Sequence, residues 1–379
     1  MRTFFASILF SFSCLLFQGC KASERPERTH PLQTKDVVAN KPPVGDDPNP
    51  PEPKPVTSPM DIMASDLQLA LVKNADLSSG YASTLITKTK VSITDKASTK
   101  LVDQATEFLS SLLGVVQGDK LKIVDQSKVV AVIGAASLKV LKKLYVPDGG
   151  KLEAADFSDP ALVKFVSDVA SKAIAKQNKT LSLEAVGPLL KGIVAGLPLD
   201  SITPAQVSTV LGSLSAGVVI AGGKSLESVD LAKFVEEANK GLMLGAGSRT
   251  GAVAETLALQ AQAVAQECLK AIAAQPNFEK TKFPAIVKSA LKGAMAGSGS
   301  MSKYDAATAV MIAKALIQGV VNAIKALDPL NYISMANKIV SEGTAGVKEG
   351  ALEISGLEPS ALDSLHIDPN EILAQLSSK

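Results

Sequence analysis

From about residue 60 the chain repeats one pattern. An apolar side chain recurs every three or four positions, and lysines and glutamates fill the opposite side. Phe283, Ile286, Val287, Ala290, Leu291, Ala294 and Met295 form one such stripe, with Lys282, Lys288 and Lys292 on the other face. Leu231, Phe234, Val235, Ala238 and Leu242 form a second, opposed by Lys233, Glu236, Glu237 and Lys240. Val253, Leu257, Ala261, Val264, Cys268 and Ile272 draw a third. This spacing is the signature of amphipathic helices. Prolines mark helix starts at Asp159-Pro160, Thr203-Pro204 and Asp328-Pro329. Glycine clusters at Gly149-Gly150, Gly222-Gly223, Gly245 to Gly251 and Gly297 to Gly299 read as stops. The nearest approach to a strand is a weak alternation around Lys88 to Thr94.

The helices recur in sequence. A Lys-Gly or similar pair falls at Lys142-Lys143, Lys191-Gly192, Lys240-Gly241, Lys292-Gly293 and Glu342-Gly343, spaced by 49, 49, 52 and 50 residues. Three of these continue as Lys-Gly-x-x-x-Gly, ending at Gly196, Gly245 and Gly297. Between them lie longer, more apolar helices over about 203–222, 251–275 and 304–327. The expected fold is therefore all-α over residues 60–379: a helical bundle, or an array of helix pairs with units of about 50 residues. The unit lacks tetratricopeptide and ankyrin consensus residues. Ser201 to Gly223 is uncharged for 23 residues, which is long enough to span a bilayer. Pro204, Gln206, several hydroxyls and four glycines lower its hydropathy, so it reads as a central helix surrounded by others.

Before the helices the composition changes. Residues 21 to 59 hold ten of the 20 prolines, with six basic and six acidic residues. Such a stretch buries too little apolar surface to offset its ordering entropy. Proline biases it toward polyproline II, with a reach on the order of 100 Å when extended. It reads as a spacer, and the alternative is a ligand for a proline-binding groove. His30 falls within it without neighbours at metal-ligand spacing.

The first 19 residues have the form of a secretory signal: one charge at Arg2, then an apolar run from Phe4 to Phe17 that is too short to span a membrane. Gly19 then precedes Cys20. This end resembles a bacterial lipobox, although Phe17 and Gln18 stand where leucine and a small residue are usual. The alternative is an ordinary cleaved signal with an incidental cysteine. The resemblance to bacterial lipoproteins implies cleavage before Cys20, acylation of Cys20 with palmitate or similar chains, and a membrane anchor at the mature amino terminus. Several chains together make such an anchor stable, since each buried methylene contributes about 0.8 kcal/mol. Lys21, rather than aspartate, follows Cys20, and by the same resemblance this implies the outer membrane.

Chemistry is defined mostly by what the body lacks. Residues 60 to 360 contain no histidine, and His366 follows the last long helix. Serine–histidine and cysteine–histidine nucleophile pairs and histidine zinc sites are thereby excluded there. Cys14 leaves with the leader, so Cys268 remains without an internal disulfide partner and reads as a small core residue. The segment Gly245 to Gly251 offers backbone donors and Arg249, but no strand precedes it, so it reads as an interhelical loop, as does Gly297 to Ser300. Acids after Asp148-Gly149-Gly150 do not match a calcium loop. The net charge of +2, with lysines alternating with acids, gives no nucleic-acid groove.

No catalytic residue, cofactor site or metal site is assigned, and Cys20 is the one assigned attachment site. The expectation is a lipid-anchored, non-enzymatic binding or structural module of the bacterial envelope. Its partner would be another envelope protein or a polymer. A membrane-active protein or an apolar-ligand carrier is the alternative. Hydrolases built from paired carboxylates on distant helices would be invisible at this level.

Overall fold

Helix starts in this chain coincide with side chains that take up free amides. Ser58 Oγ accepts from the Asp61 amide at 3.1 Å, Asp125 Oδ1 from Lys128 at 2.9 Å, Asp159 Oδ1 from Ala161 at 2.8 Å, and Asp305 Oδ1 from Thr308 at 2.8 Å. Thr203 and Gln206 form a reciprocal capping box: the Gln206 amide donates to Thr203 Oγ1 at 3.3 Å, and the Thr203 amide donates to Gln206 Oε1 at 2.7 Å.

The structure is a computed structural model describing residues 58–94, 100–118, 125–145, 159–198, 202–223, 228–275, 278–327, 335–363 and 374. The leader, Cys20, the proline-rich segment through residue 57, the acidic turn after Asp148, Pro329 and His366 lie outside these residues.

Among the described residues there are twelve α-helices and no strand: α1 (Pro59–Ala75), α2 (Ser79–Thr94), α3 (Leu101–Gly118), α4 (Gln126–Leu144), α5 (Pro160–Ala175), α6 (Lys179–Ala195), α7 (Pro204–Gly223), α8 (Ser228–Gly247), α9 (Ala254–Ala273), α10 (Phe283–Ser298), α11 (Ala306–Ala326) and α12 (Ala336–Leu352). The fold is an all-α array of helix pairs. The weak alternation near Lys88 lies within α2.

The helices pack in two rows. One runs α1, α4, α6, α8, α10, α12, and the other α2, α3, α5, α7, α9, α11, each helix lying against the next in its row. Consecutive helices in the chain thus alternate between rows, as in a solenoid of helix hairpins. Aliphatic side chains fill the space between, and Phe108, Phe234 and Phe283 are among the largest that are fully buried.

Glycine sets the spacing within the first row. A Cβ on Gly192, Gly241, Gly293 or Gly346 would overlap the carbonyl oxygen of Ala131, Gly187, Glu236 or Lys288 respectively on the preceding helix. One turn later the pattern repeats: Gly196 faces Ala135, Gly245 faces Lys191, Gly297 faces Lys240 and Gly350 faces Lys292. Both turns advance together, so these helices run parallel. Backbone-to-backbone contact of this kind is open only to a residue without a side chain.

This geometry corrects three readings. Gly245, Gly247 and Gly297 lie inside helices, because they serve interhelical approach and do not terminate α8 and α10. The last repeat is carried by Gly346 and Gly350; Gly343 meets side chains of Leu291 and Val287 instead. Lys142-Lys143 is not the first repeat either, since Ala131, Gly134 and Ala135 make the approach in α4.

α7 differs from its expectation too. It lies within its row against α5 and α9, but it is not enclosed: Ile220 is 45% exposed and Thr209 is exposed. By length and composition alone α7 and α11 could each cross a membrane; the spans are 44% and 61% buried in the array.

Candidate functional site

The glycine row has a chemical consequence. Where α4, α6 and α8 approach through Gly187, Gly192 and Gly241, no side chains fill the seam, and an open groove of 620 Å³ runs over it. Ala131, Ala135 and Ala195 extend the small-residue lining, and Pro188 sits inside α6 beside it. Lys128, Lys191, Lys240 and Glu237 supply its charge.

Most charges along this row are matched. Lys128 Nζ lies 2.6 Å from Asp76, tying α4 to the end of α1. Lys240 Nζ donates to Glu353 Oε2 at 2.6 Å, and Lys292 Nζ bridges Glu353 Oε1 at 3.2 Å and Glu236 Oε1 at 2.7 Å. Lys288 Nζ meets Glu349 at 2.6 Å. Burial alone would raise the Glu353 carboxyl, but Lys240 and Lys292 outweigh it and hold the group below the usual carboxylate range. The lysine before each repeat glycine, in Lys240-Gly241 and Lys292-Gly293, therefore feeds an ion-pair ladder.

Two groove charges are unmatched. Glu237 and the exposed Lys191 have no ion pair or hydrogen bond among the described residues. Burial pushes the Glu237 carboxyl above its usual range; Lys240 pulls the other way and Glu236 adds to the rise.

A second groove, of 460 Å³, lies on the other row between α7 and α9. Ser208, Thr209, Ser213, Gln262 and Gln266 line it beside Leu259, which is 54% exposed. Its chemistry is uncharged apart from Glu267, which is held by Lys270 at 2.8 Å.

Cys268 is fully buried. Asn239 Nδ2 donates to its Sγ at 3.6 Å and to the Ala290 carbonyl at 3.3 Å, while Ser215 Oγ donates to Asn239 Oδ1 at 2.8 Å. This network joins α7, α8, α9 and α10. Burial pushes the Cys268 thiol up to about 11, although Asn239 and Ser215 work against the rise. Arg249 Nη2 donates to the Leu197 carbonyl at 2.6 Å, so it fastens the end of α8 to the turn after α6. Its segment is half helix: α8 continues through Gly247, and Gly251 turns the chain at φ 79°. Among the described residues no three His, Cys, Asp or Glu side chains converge where a metal could sit.

Cys20, the assigned lipid site, lies outside the described residues. Glu237, Lys191 and Asn239 were not singled out from sequence. The Lys-Gly repeat pointed to the correct helix row, but no local signal distinguishes Glu237 from Glu236. No family model matches the chain, and no curated protein sequence matches it.

Proposed function

We propose that this protein is a non-enzymatic binding scaffold of the bacterial envelope, lipid-anchored through Cys20 and offering the α4/α6/α8 groove to an envelope partner. The carrying observation is the groove itself: an open seam floored by glycine and alanine, with unmatched charges beside a fully paired ladder. Solenoids bind along such seams because each repeat adds another strip of the same surface. The signal-like leader, Gly19-Cys20 and the proline-rich segment behind them support the anchor and its spacing role. Lys21 supports the outer membrane as the address.

The test places a photoreactive amino acid at Ala195, exposed at the groove, and at Leu259 on the opposite row, in intact cells. The scaffold reading expects a discrete adduct from position 195 and none from 259. Adducts from 259 alone, or from neither, contradict it. A Cys20→Ala variant should leave the membrane fraction, and membrane retention of that variant would contradict the anchor.

A further inference from the structure

We propose that the α6/α8 part of the groove recognises an extended peptide bearing a basic and an acidic side chain two residues apart, the basic one against Glu237 and the acidic one against Lys191. This rests on the scaffold reading above and names the class of partner.

The argument begins with the two unmatched charges. Glu236, Lys240, Lys292 and Glu353 neutralise one another within the same row. Glu237 and Lys191 line the groove and have no such counterpart among the described residues. A half-buried carboxylate without a cation is held at a cost in stability, which a bound cation would relieve.

The register of the helices fixes their separation. The Cβ position of Gly187 lies 3.0 Å from the Glu237 carbonyl oxygen, so Glu237 stands level with Gly187. The Cβ position of Gly245 lies 2.7 Å from the Lys191 carbonyl oxygen on the parallel helix, so Lys191 stands one turn further along. Four residues of helix rise about 6 Å. An extended peptide places same-side residues, two positions apart, at about 6.6 Å. Opposite charges at that spacing meet Glu237 and Lys191 together. The glycine floor lets the peptide backbone approach closely, and 620 Å³ falls within the usual range for sites that enclose a small ligand.

The test pans the full chain, in detergent, against a displayed random heptapeptide library. The expected result is enrichment of Lys or Arg with Asp or Glu two positions away. Glu237→Gln should abolish the basic preference, and Lys191→Glu should convert the acidic preference to a basic one, with helical circular dichroism unchanged. A synthetic selected peptide should bind each variant about tenfold more weakly and lose affinity as salt rises. Enrichment without that charge pair, identical sequences from the variants, or no enrichment would overturn the inference. If position 195 still captures a partner in cells while the library shows no charge pair, the charge-pair inference fails and the groove reading stands.

Discussion

Gly293 packs against the backbone carbonyl of Glu236, while the carboxylate of the same Glu236 accepts a hydrogen bond at 2.7 Å from Lys292, the residue just before that glycine. One dipeptide thus provides both contacts between α10 and α8: backbone proximity and a charge clamp. The same arrangement of glycines steps along the row from α4 to α12.

Adding a methyl at Gly293 should therefore be severe. Gly293→Ala is expected to lower stability by about 2 kcal/mol or more, because the obstacle is backbone and cannot rotate away. Gly114→Ala in α3 is the control: the nearest atom to its Cβ is Gln177 Oε1 at 3.6 Å. That change should instead stabilise by about 0.5–1 kcal/mol. Urea unfolding followed by circular dichroism reads both.

The buried amide of Asn239 makes a second prediction. Asn239→Ala strands Ser215 and the Ala290 carbonyl in the core, and should cost about 1–3 kcal/mol before any cavity penalty. Thermal unfolding checks this, with Ser208→Ala on the open face of α7 expected to change little.

Cys268 should resist thiol reagents at pH 8 in the folded protein and react at once in urea. Its pKa is raised from 9.0 to about 11, so the folded protein keeps a proton that the unfolded chain loses. This contribution is intact below pH 9.0 and declines as pH rises toward about 11. Comparing alkaline stability curves of wild type and Cys268→Ala isolates it; the variant should lose stability less steeply across that window.

Glu237 shows the opposite balance from Glu353. Its raised carboxyl pKa means that its contribution is present below the ordinary value of 4.5 and is lost as pH rises through the folded value. Glu237→Gln should thus be more stable than wild type at pH 7, by about 0.5 kcal/mol or less given its exposure to water. The gap should close near pH 3. Urea midpoints at the two pH values measure it. A charge kept despite such a penalty is the pattern of a binding surface.

The helices were legible because a buried stripe imposes a 3.6-residue period wherever it occurs, as from Phe283 to Met295. The repeat was legible through Lys240-Gly241 and Lys292-Gly293, but its mechanism was not. Glycine usually ends helices, and only the facing carbonyl on another helix shows that Gly245 and Gly297 do not. The final repeat lacks the lysine, since Ala345 precedes Gly346, so a Lys-Gly search drifts to Gly343. The Asn239 network escaped because its partners come from three other helices, 24, 29 and 51 residues away in sequence. The groove escaped for the same reason, being assembled from α4, α6 and α8.

Hydrogen exchange tests the central claim most directly. Amide exchange would be compared between the purified chain and the chain in its native membranes. The account predicts added protection over 187–195 and 237–244, around the glycine seam, with 205–213 unchanged. Added protection over 205–213 alone, or none in either stretch, would contradict it.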